Sequence, residues 1–516
     1  MIATTWRGAL LTAAALLAGA DRAPRSAAAE LRFVEPLARV YDAILDARFD
    51  QVDSELRRAC GPAPDEACDV LAATALWWRI LLDPESHALD REFEASVNHA
   101  IKTSEAWTTR EPRQAEAWFY LGGAYAARVQ WRILRNEKLA AARDGKRIKV
   151  ALERAIELDP SLDDAYFAIG MYKYYADVAP AVAKILRFLL LLPGGDREEG
   201  LAEMIRARTR GRLMQGEADY QLHVIYLWYE RQTPRALQLL DTLHEHYPGN
   251  PLFVSQTAEI QDAYEHDIMA SLATWRTLLA SAREQRTNAA GLAEVQARLG
   301  IARHLDTLQQ TDHAIENLRA IVALKPKAPY GSLPLAWLRL GEAHDRLGNR
   351  AAATDAYAAA IESALSPDPY DVRAQAAERL RRTPDARRAR AYRLSLEGFR
   401  RLEHNDLPAA AAALSESLGL NSADPVARYR YGRVLQARRD DVGALAQFEW
   451  AIAGAKHGPA PIAATAYLEA ARLHERAGHR EQALGFYRIA STYFGGAVET
   501  HAAARRAIAR LDGHAR

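Results

Sequence analysis

The sequence contains few cysteines and almost no excess of charge. Among its 516 residues there are only 2 cysteines, and the formal net charge is +1. The cysteines lack the C-x-x-C spacing of a redox-catalytic pair. The balanced charge provides no concentrated basic field for nucleic-acid binding. Alternating Val- and Ile-rich runs, which strands require, are scarce.

Motifs of common enzyme chemistry are missing too. Gly145-Lys146 lacks the upstream glycine and the Ser or Thr of a phosphate-binding loop, and no G-x-S-x-G stretch is present. His474-Glu475 and His479 have H-E-x-x-x-H spacing, which does not place both histidines on one helical face as in zinc peptidases. We therefore predict no catalytic residue, no metal and no cofactor. The alternative is an enzyme that acts on envelope polymers through carboxylates in a helical cavity.

No run of residues is both long and apolar enough for a membrane span. Residues 8–20 form a short apolar stretch after Arg7, and the small residues at 26–29 provide an A-x-A cleavage site before Glu30. We predict a signal peptide over residues 1–29 and an exported protein, periplasmic or secreted. A second apolar run, residues 185–192, is too short to span a bilayer.

An oxidising compartment would allow the two cysteines to pair. Cys60 and Cys68 flank a short loop between two helical stretches. A disulfide that closes so small a loop stabilises a fold by roughly 2.5 kcal/mol in the chain-entropy model. The sequence leaves two free thiols as the alternative.

What the sequence does contain is a recurring helix-pair pattern. Hydrophobic residues make up 49% and charged residues 26%, as in globular proteins, and the abundant Ala, Leu, Arg and Glu favour helices. Residues 118–125 (WFYLGGAY) match the pattern W-x2-L-G-x2-Y. Further copies are marked by a small residue that is followed 16 positions later by an aromatic one: Gly341 and Tyr357, Gly432 and Phe448, and Ala471 and Tyr487. Trp337, Tyr431 and Tyr467 are the large residues that precede them.

On these residues the chain resembles the tetratricopeptide-repeat superfamily, most sharply in residues 115–176 and 333–492. The resemblance implies an all-α solenoid of helix-turn-helix units that binds a protein or peptide. A weaker, local resemblance links residues 180–201 to the fungal inclusion-body-clearance proteins and their animal tetratricopeptide relatives. Those relatives are not exported, so no function is carried over from them.

The pattern also predicts how the chain is divided. A basic stretch at residues 377–390, here called the basic connector, is interpreted either as a hinge or as a solvated helix and turn. The predicted segments are a signal peptide (1–29), an N-terminal helical cap (30–110), a first array (111–284) with an apolar insertion (178–192), a second array (288–376), the basic connector (377–390), a third array (391–494) and a capping helix with a tail (495–516).

Candidate binding residues come from the first helix of each pair, which lines the concave face of such a solenoid. The predicted candidates are Phe119, Phe167, Met171 and Tyr174 in an aromatic groove and Arg433 and Arg472 in a charged one. An open aromatic groove would accept an apolar helix or extended peptide. Alternatively, the insertion folds over these aromatics and buries them as core, or residues 185–192 bind a lipid or another apolar ligand.

The leading hypothesis is an exported interaction scaffold. Its partner is expected to be a protein or peptide of the envelope, bound in the concave face of the solenoid. Nucleic acid is not expected as a ligand. No integral membrane span is expected either, which leaves peripheral contact with a membrane open.

Overall fold

The computed structural model describes residues 31–178 and 194–513. The predicted signal peptide and nearly all of the apolar insertion, with its run at 185–192, lie outside the described residues. The described chain is all helical and forms 24 α-helices. In order, α1 to α24 are Val34–Leu45, Phe49–Ala59, Asp65–Leu82, Asp90–Arg110, Ala115–Leu134, Lys138–Leu158, Ala165–Val178, Arg197–Arg210, Gln215–Trp228, Thr233–His246, Pro251–Ala263, Ile268–Arg283, Ala290–Thr307, Thr311–Leu324, Ser332–Arg346, Arg350–Ser363, Val372–Arg381, Ala386–Glu403, Leu407–Leu420, Pro425–Ala437, Asp441–Ala453, Ala460–Arg476, Arg480–Ala490 and Val498–Gly513.

Consecutive helices form pairs, and nine pairs share the same turn. In each turn one residue has a left-handed backbone with φ between 54° and 81°, a conformation that lets the chain reverse after a helix. The prediction of an all-α, tetratricopeptide-type solenoid of helix pairs is therefore confirmed. The residues that hold this conformation are Ala47, Asn136, Arg231, His266, Gln309, Gly348, Asn405, Arg439 and Gly478.

Within the pairs, a glycine of the first helix lies against a large side chain of the second. A Cβ atom at Gly432 would be 2.7 Å from the ring of Phe448, and one at Gly341 would be 2.5 Å from the ring of Tyr357. Both rings are fully buried. The absent side chain is therefore what lets the two helices approach closely.

The pairs coil so that distant parts of the chain meet. The amide of Tyr330 donates a hydrogen bond to Asp83, 247 positions earlier, at 2.8 Å. The amide of Val498 donates to Asp267, 231 positions earlier, at 3.1 Å. Successive turns of the coil thus contact one another through carboxylates that accept backbone hydrogen bonds.

The hydrophobic core is divided into several clusters. The largest extends from Leu31 to Ile260, and separate smaller clusters follow towards the C-terminus. Part of the basic connector at 377–390 is helical, since α17 ends at Arg381 and α18 begins at Ala386. The boundaries between the arrays stay predictions.

A buried histidine joins three helices of the middle region. Ser271 Oγ donates to the carbonyl of Ala258 at 2.7 Å and lies 2.8 Å from His304 Nε2. Because the hydroxyl hydrogen of Ser271 is donated to Ala258, the Nε2–H group of His304 donates to Ser271 Oγ. Burial, with the positive charge of Arg303, lowers the pKa of His304 to about 4.

We expect replacement of Gly432 by Ala to destabilise the third array. The added methyl group overlaps the Phe448 ring, and this overlap destabilises the fold by more than the higher helix propensity of alanine stabilises it. The free energy of unfolding should therefore fall by about 1–2 kcal/mol. Denaturant unfolding followed by circular dichroism measures it. The matched control is Gly485→Ala in α23, where nothing lies within 4 Å of the new Cβ. That change should stabilise the protein by about 0.5–1 kcal/mol, and equal effects at both sites would contradict this packing.

Stability should fall as the pH is lowered from about 6.5 to about 4, because an unfolded histidine takes up a proton in this window and folded His304 does not. The contribution of His304 reaches at most about 1.4 kcal/mol per pH unit. His304→Gln should flatten this part of the stability-against-pH curve. The control, His313→Gln at an exposed position, should leave the slope of this curve unchanged. If the curve of His304→Gln runs parallel to that of the wild type, His304 is not the group responsible.

Candidate functional site

The inner face of the first array is occupied by the chain's own α1. Tyr41 Oη and Trp78 Nε1 donate to the same oxygen of Glu217 on α9, at 2.9 and 3.0 Å. The side-chain amide of Asn250, which caps α11, donates to the carbonyl of Leu45 at 2.7 Å. A helix that contacts α3, α9 and the start of α11 lies on the face that these helices share.

Three of the four predicted aromatic-groove residues are interior. Phe119, Phe167 and Tyr174 are 5%, 4% and 0% exposed. Phe167 and Tyr174 belong to one apolar cluster with residues of α8 and α9, and half-buried Met171 packs against it. The structure therefore does not offer these side chains as an open groove, because α8 and α9 pack against Phe167 and Tyr174, and Tyr41 of α1 shares a small cavity with Phe119.

What remains between α1 and the inner face is a cavity of about 50 Å³, lined by Phe119, Phe167 and Glu217 among others. This volume is far too small for a peptide. Burial raises the pKa of Glu217, although hydrogen bonds from Tyr41 and Trp78 favour its charged form. The carboxylate serves here to fasten α1 to the array.

The C-terminal array has an open groove. It measures about 800 Å³ and lies between α20, α22, α23 and α24. Four arginines and two glutamates contribute to its lining, so the groove carries an excess of positive charge. Its lining residues are Gln436, Glu469, Arg472, Glu475, Arg476, Tyr487, Ala503, Arg506, Ala507 and Arg510.

The two carboxylates of this C-terminal groove are held in place. Glu469 accepts from Arg472 at 2.6 Å. Glu475 accepts from Tyr487 Oη at 2.6 Å and from Arg510 at 2.7 Å. Burial disfavours the charge of Glu475, but these two hydrogen bonds outweigh it and keep its pKa below the usual value. Both glutamates therefore orient arginines.

Arg506 differs from the other arginines of the groove. Within the described residues no acidic side chain lies within ion-pair distance of its guanidinium. It is exposed and lies one helical turn before Arg510 on α24. Arg506 is thus the cation of the C-terminal groove that is available to a ligand.

Of the two arginines predicted as binding residues, Arg472 lines the C-terminal groove and Arg433 does not. Arg433 is exposed nearby on α20 and donates to Tyr429 Oη at 3.1 Å. Sequence reasoning missed Arg506 and Arg510 because it treated α24 as a polar cap. Their spacing of four residues, which places both on one face of a helix, was the available signal.

No group of three or more His, Cys, Asp or Glu side chains in the described parts of the chain is placed to hold a metal ion. None of the described helices has the length and apolar character needed to cross a membrane.

No protein-family model and no curated protein matches the chain. Solved structures with similar helical arrangements include three repeat proteins at low identity. The Rap protein in complex with competence and sporulation factor is 13% identical with a TM-score of 0.33, over 93% of this chain and 99% of that one. Yeast Tom70 is 11% identical with a TM-score of 0.25, over 94% and 96%.

The third is c5321, a protective antigen of uropathogenic Escherichia coli with an SLR fold, 13% identical with a TM-score of 0.26 over 80% of this chain and 92% of that one. Similarities at this level do not bear on function. The assignment of the fold rests on the helix pairs, their shared turns and the glycine contacts.

Proposed function

We propose that the protein is an exported scaffold that binds an acidic, extended segment of a partner protein in its C-terminal groove. The observation that carries the proposal is the lining of this groove, which contains four arginines and two glutamates. In the first array Tyr41 of α1 contacts Glu217 of α9, whereas the C-terminal groove is open, which supports it as the binding surface.

Arginine suits this role for two reasons. Its planar guanidinium binds carboxylates through paired hydrogen bonds, which selects Asp and Glu side chains over other partners. Glu469 and Glu475 already hold Arg472 and Arg510 in defined orientations. Less side-chain entropy is then lost when a ligand binds.

The same geometry does not favour the alternative of an enzyme that acts on envelope polymers. A general acid for glycoside hydrolysis needs a raised pKa so that it keeps its proton at neutral pH. The pKa of Glu475 is instead lowered by Tyr487 and Arg510. A carboxylate in this setting holds a cation and is a poor proton donor.

Export is supported by the N-terminal sequence and by the cysteines. The sulfur atoms of Cys60 and Cys68 are bonded, with the Cα atoms 6.0 Å apart. Cys60 follows the last residue of α2, and Cys68 lies in the first turn of α3. Such pairs persist in oxidising compartments.

Binding should depend on Arg506. We expect a short fluorescein-labelled peptide of alternating Glu and Leu to bind, and Arg506→Glu to weaken its affinity roughly tenfold or more, since a charged hydrogen bond is replaced by repulsion. Fluorescence anisotropy measures the affinity. The matched control is Arg505→Glu, the same change at the neighbouring exposed residue of α24, which does not line the groove. Equal affinity for both variants, or equal binding of a Lys–Leu peptide, would contradict the proposal.

Export is tested separately on protein from the native host. We expect the mature chain to begin at Glu30 and to carry the Cys60–Cys68 disulfide, as shown by N-terminal sequencing and thiol labelling with and without reductant. Reduction of the purified protein should cost roughly 2.5 kcal/mol of stability. A Cys60→Ser/Cys68→Ser variant should show no response to reductant. An intact N-terminus and two reactive thiols in cells would overturn the assignment.

A further inference from the structure

The pair formed by α5 and α6 is longer than the pairs that follow it. Its helices have 20 and 21 residues, against 14 each in α9 and α10. At 1.5 Å per residue the difference is about 10 Å, or two helical turns. The end of this hairpin, around the turn at Asn136, is the part of the pair that the extra turns create.

Aliphatic side chains are exposed at this end and along α6. Ile133 at the end of α5 is 61% exposed, Leu139 in the first turn of α6 is 56% exposed, and Val150, about three turns further along α6, is also 56% exposed. Leu139, Arg143, Lys146 and Val150 follow one another at spacings of four, three and four residues, so they lie on one face of α6. We call this face, together with Ile133 and Lys138, the hairpin surface.

The cations of the hairpin surface are available. Lys138, Arg143 and Lys146 are exposed, and none of them forms an ion pair with a described residue. The nearby basic residues are already engaged: Arg132 contacts buried Asp144, and Lys149 contacts Glu153. Three unpaired positive charges thus surround exposed aliphatic groups.

We propose that the hairpin surface is a peripheral docking site for an anionic lipid bilayer. Aliphatic groups enter the boundary between headgroups and acyl chains while Lys and Arg contact the lipid phosphates, which is how amphipathic surfaces bind membranes. A protein partner is less well matched, since the centres of protein interfaces are enriched in aromatic residues and depleted in Lys. The hairpin surface shares no residue with the groove that contains Arg506.

Co-sedimentation of the full-length mature protein with vesicles tests the proposal. The protein should bind vesicles of mixed phosphatidylglycerol and phosphatidylcholine and should not bind pure phosphatidylcholine. Lys138→Gln/Lys146→Gln should reduce partitioning about fivefold for each cation removed. Leu139→Ser should reduce it as well, because an inserted aliphatic group is lost. Thermal unfolding of each variant shows that it remains folded.

Matched controls test whether the loss of vesicle binding is specific to the hairpin surface. Arg438→Gln/Arg488→Gln removes the same charge from exposed residues of the third array. Val442→Ser removes an aliphatic group that is 84% exposed elsewhere. The proposal predicts that both control proteins bind like the wild type. It is refuted if the anionic vesicles are not bound, if control and hairpin variants lose binding equally, or if the hairpin cations bind labelled polyglutamate while vesicles are ignored.

Discussion

The close approach of two helices across a glycine is the contact on which the whole molecule depends. Gly341 and Gly432 leave room for Tyr357 and Phe448 of the second helix, and this fixes how far apart the helices of a pair lie. The separation within pairs, repeated along the chain, sets the curvature of the coil. Curvature in turn brings residues more than 200 positions apart into hydrogen-bonding contact.

That curvature has different consequences at the two ends of the coil. At the N-terminal end the inner face is wide enough to accept α1, whose Tyr41 reaches a carboxylate on α9. This segment therefore becomes part of the core and leaves only a small cavity. At the C-terminal end the inner face stays open and charged, with Arg506 unpaired among the described residues. Binding is thus expected to be divided between an open groove and the tip of a long hairpin.

Much of the fold was predictable, and less of the candidate site was. Trp118, Gly122 and Tyr125 indicate a helix pair because their spacing places them on faces that have to meet, and this is local information. The burial of Phe119 and Phe167 could not be predicted from such local information. Each occupies a groove position in its own helix, but whether that position faces solvent depends on α1 and α9, which are distant in the sequence.

The sequence alone determined the helix pairs, their turns and the type of residue at each packing position, because these follow from contacts between residues a few turns apart. Only the tertiary structure decided which face of the solenoid stays open. That outcome depends on the contact between Tyr41 of α1 and Glu217, 176 positions later in the sequence. It also depends on how α24 places Arg506 beside α22 in the groove. Local patterns do not encode such long-range placement, since the same amphipathic helix can cover a groove or line one.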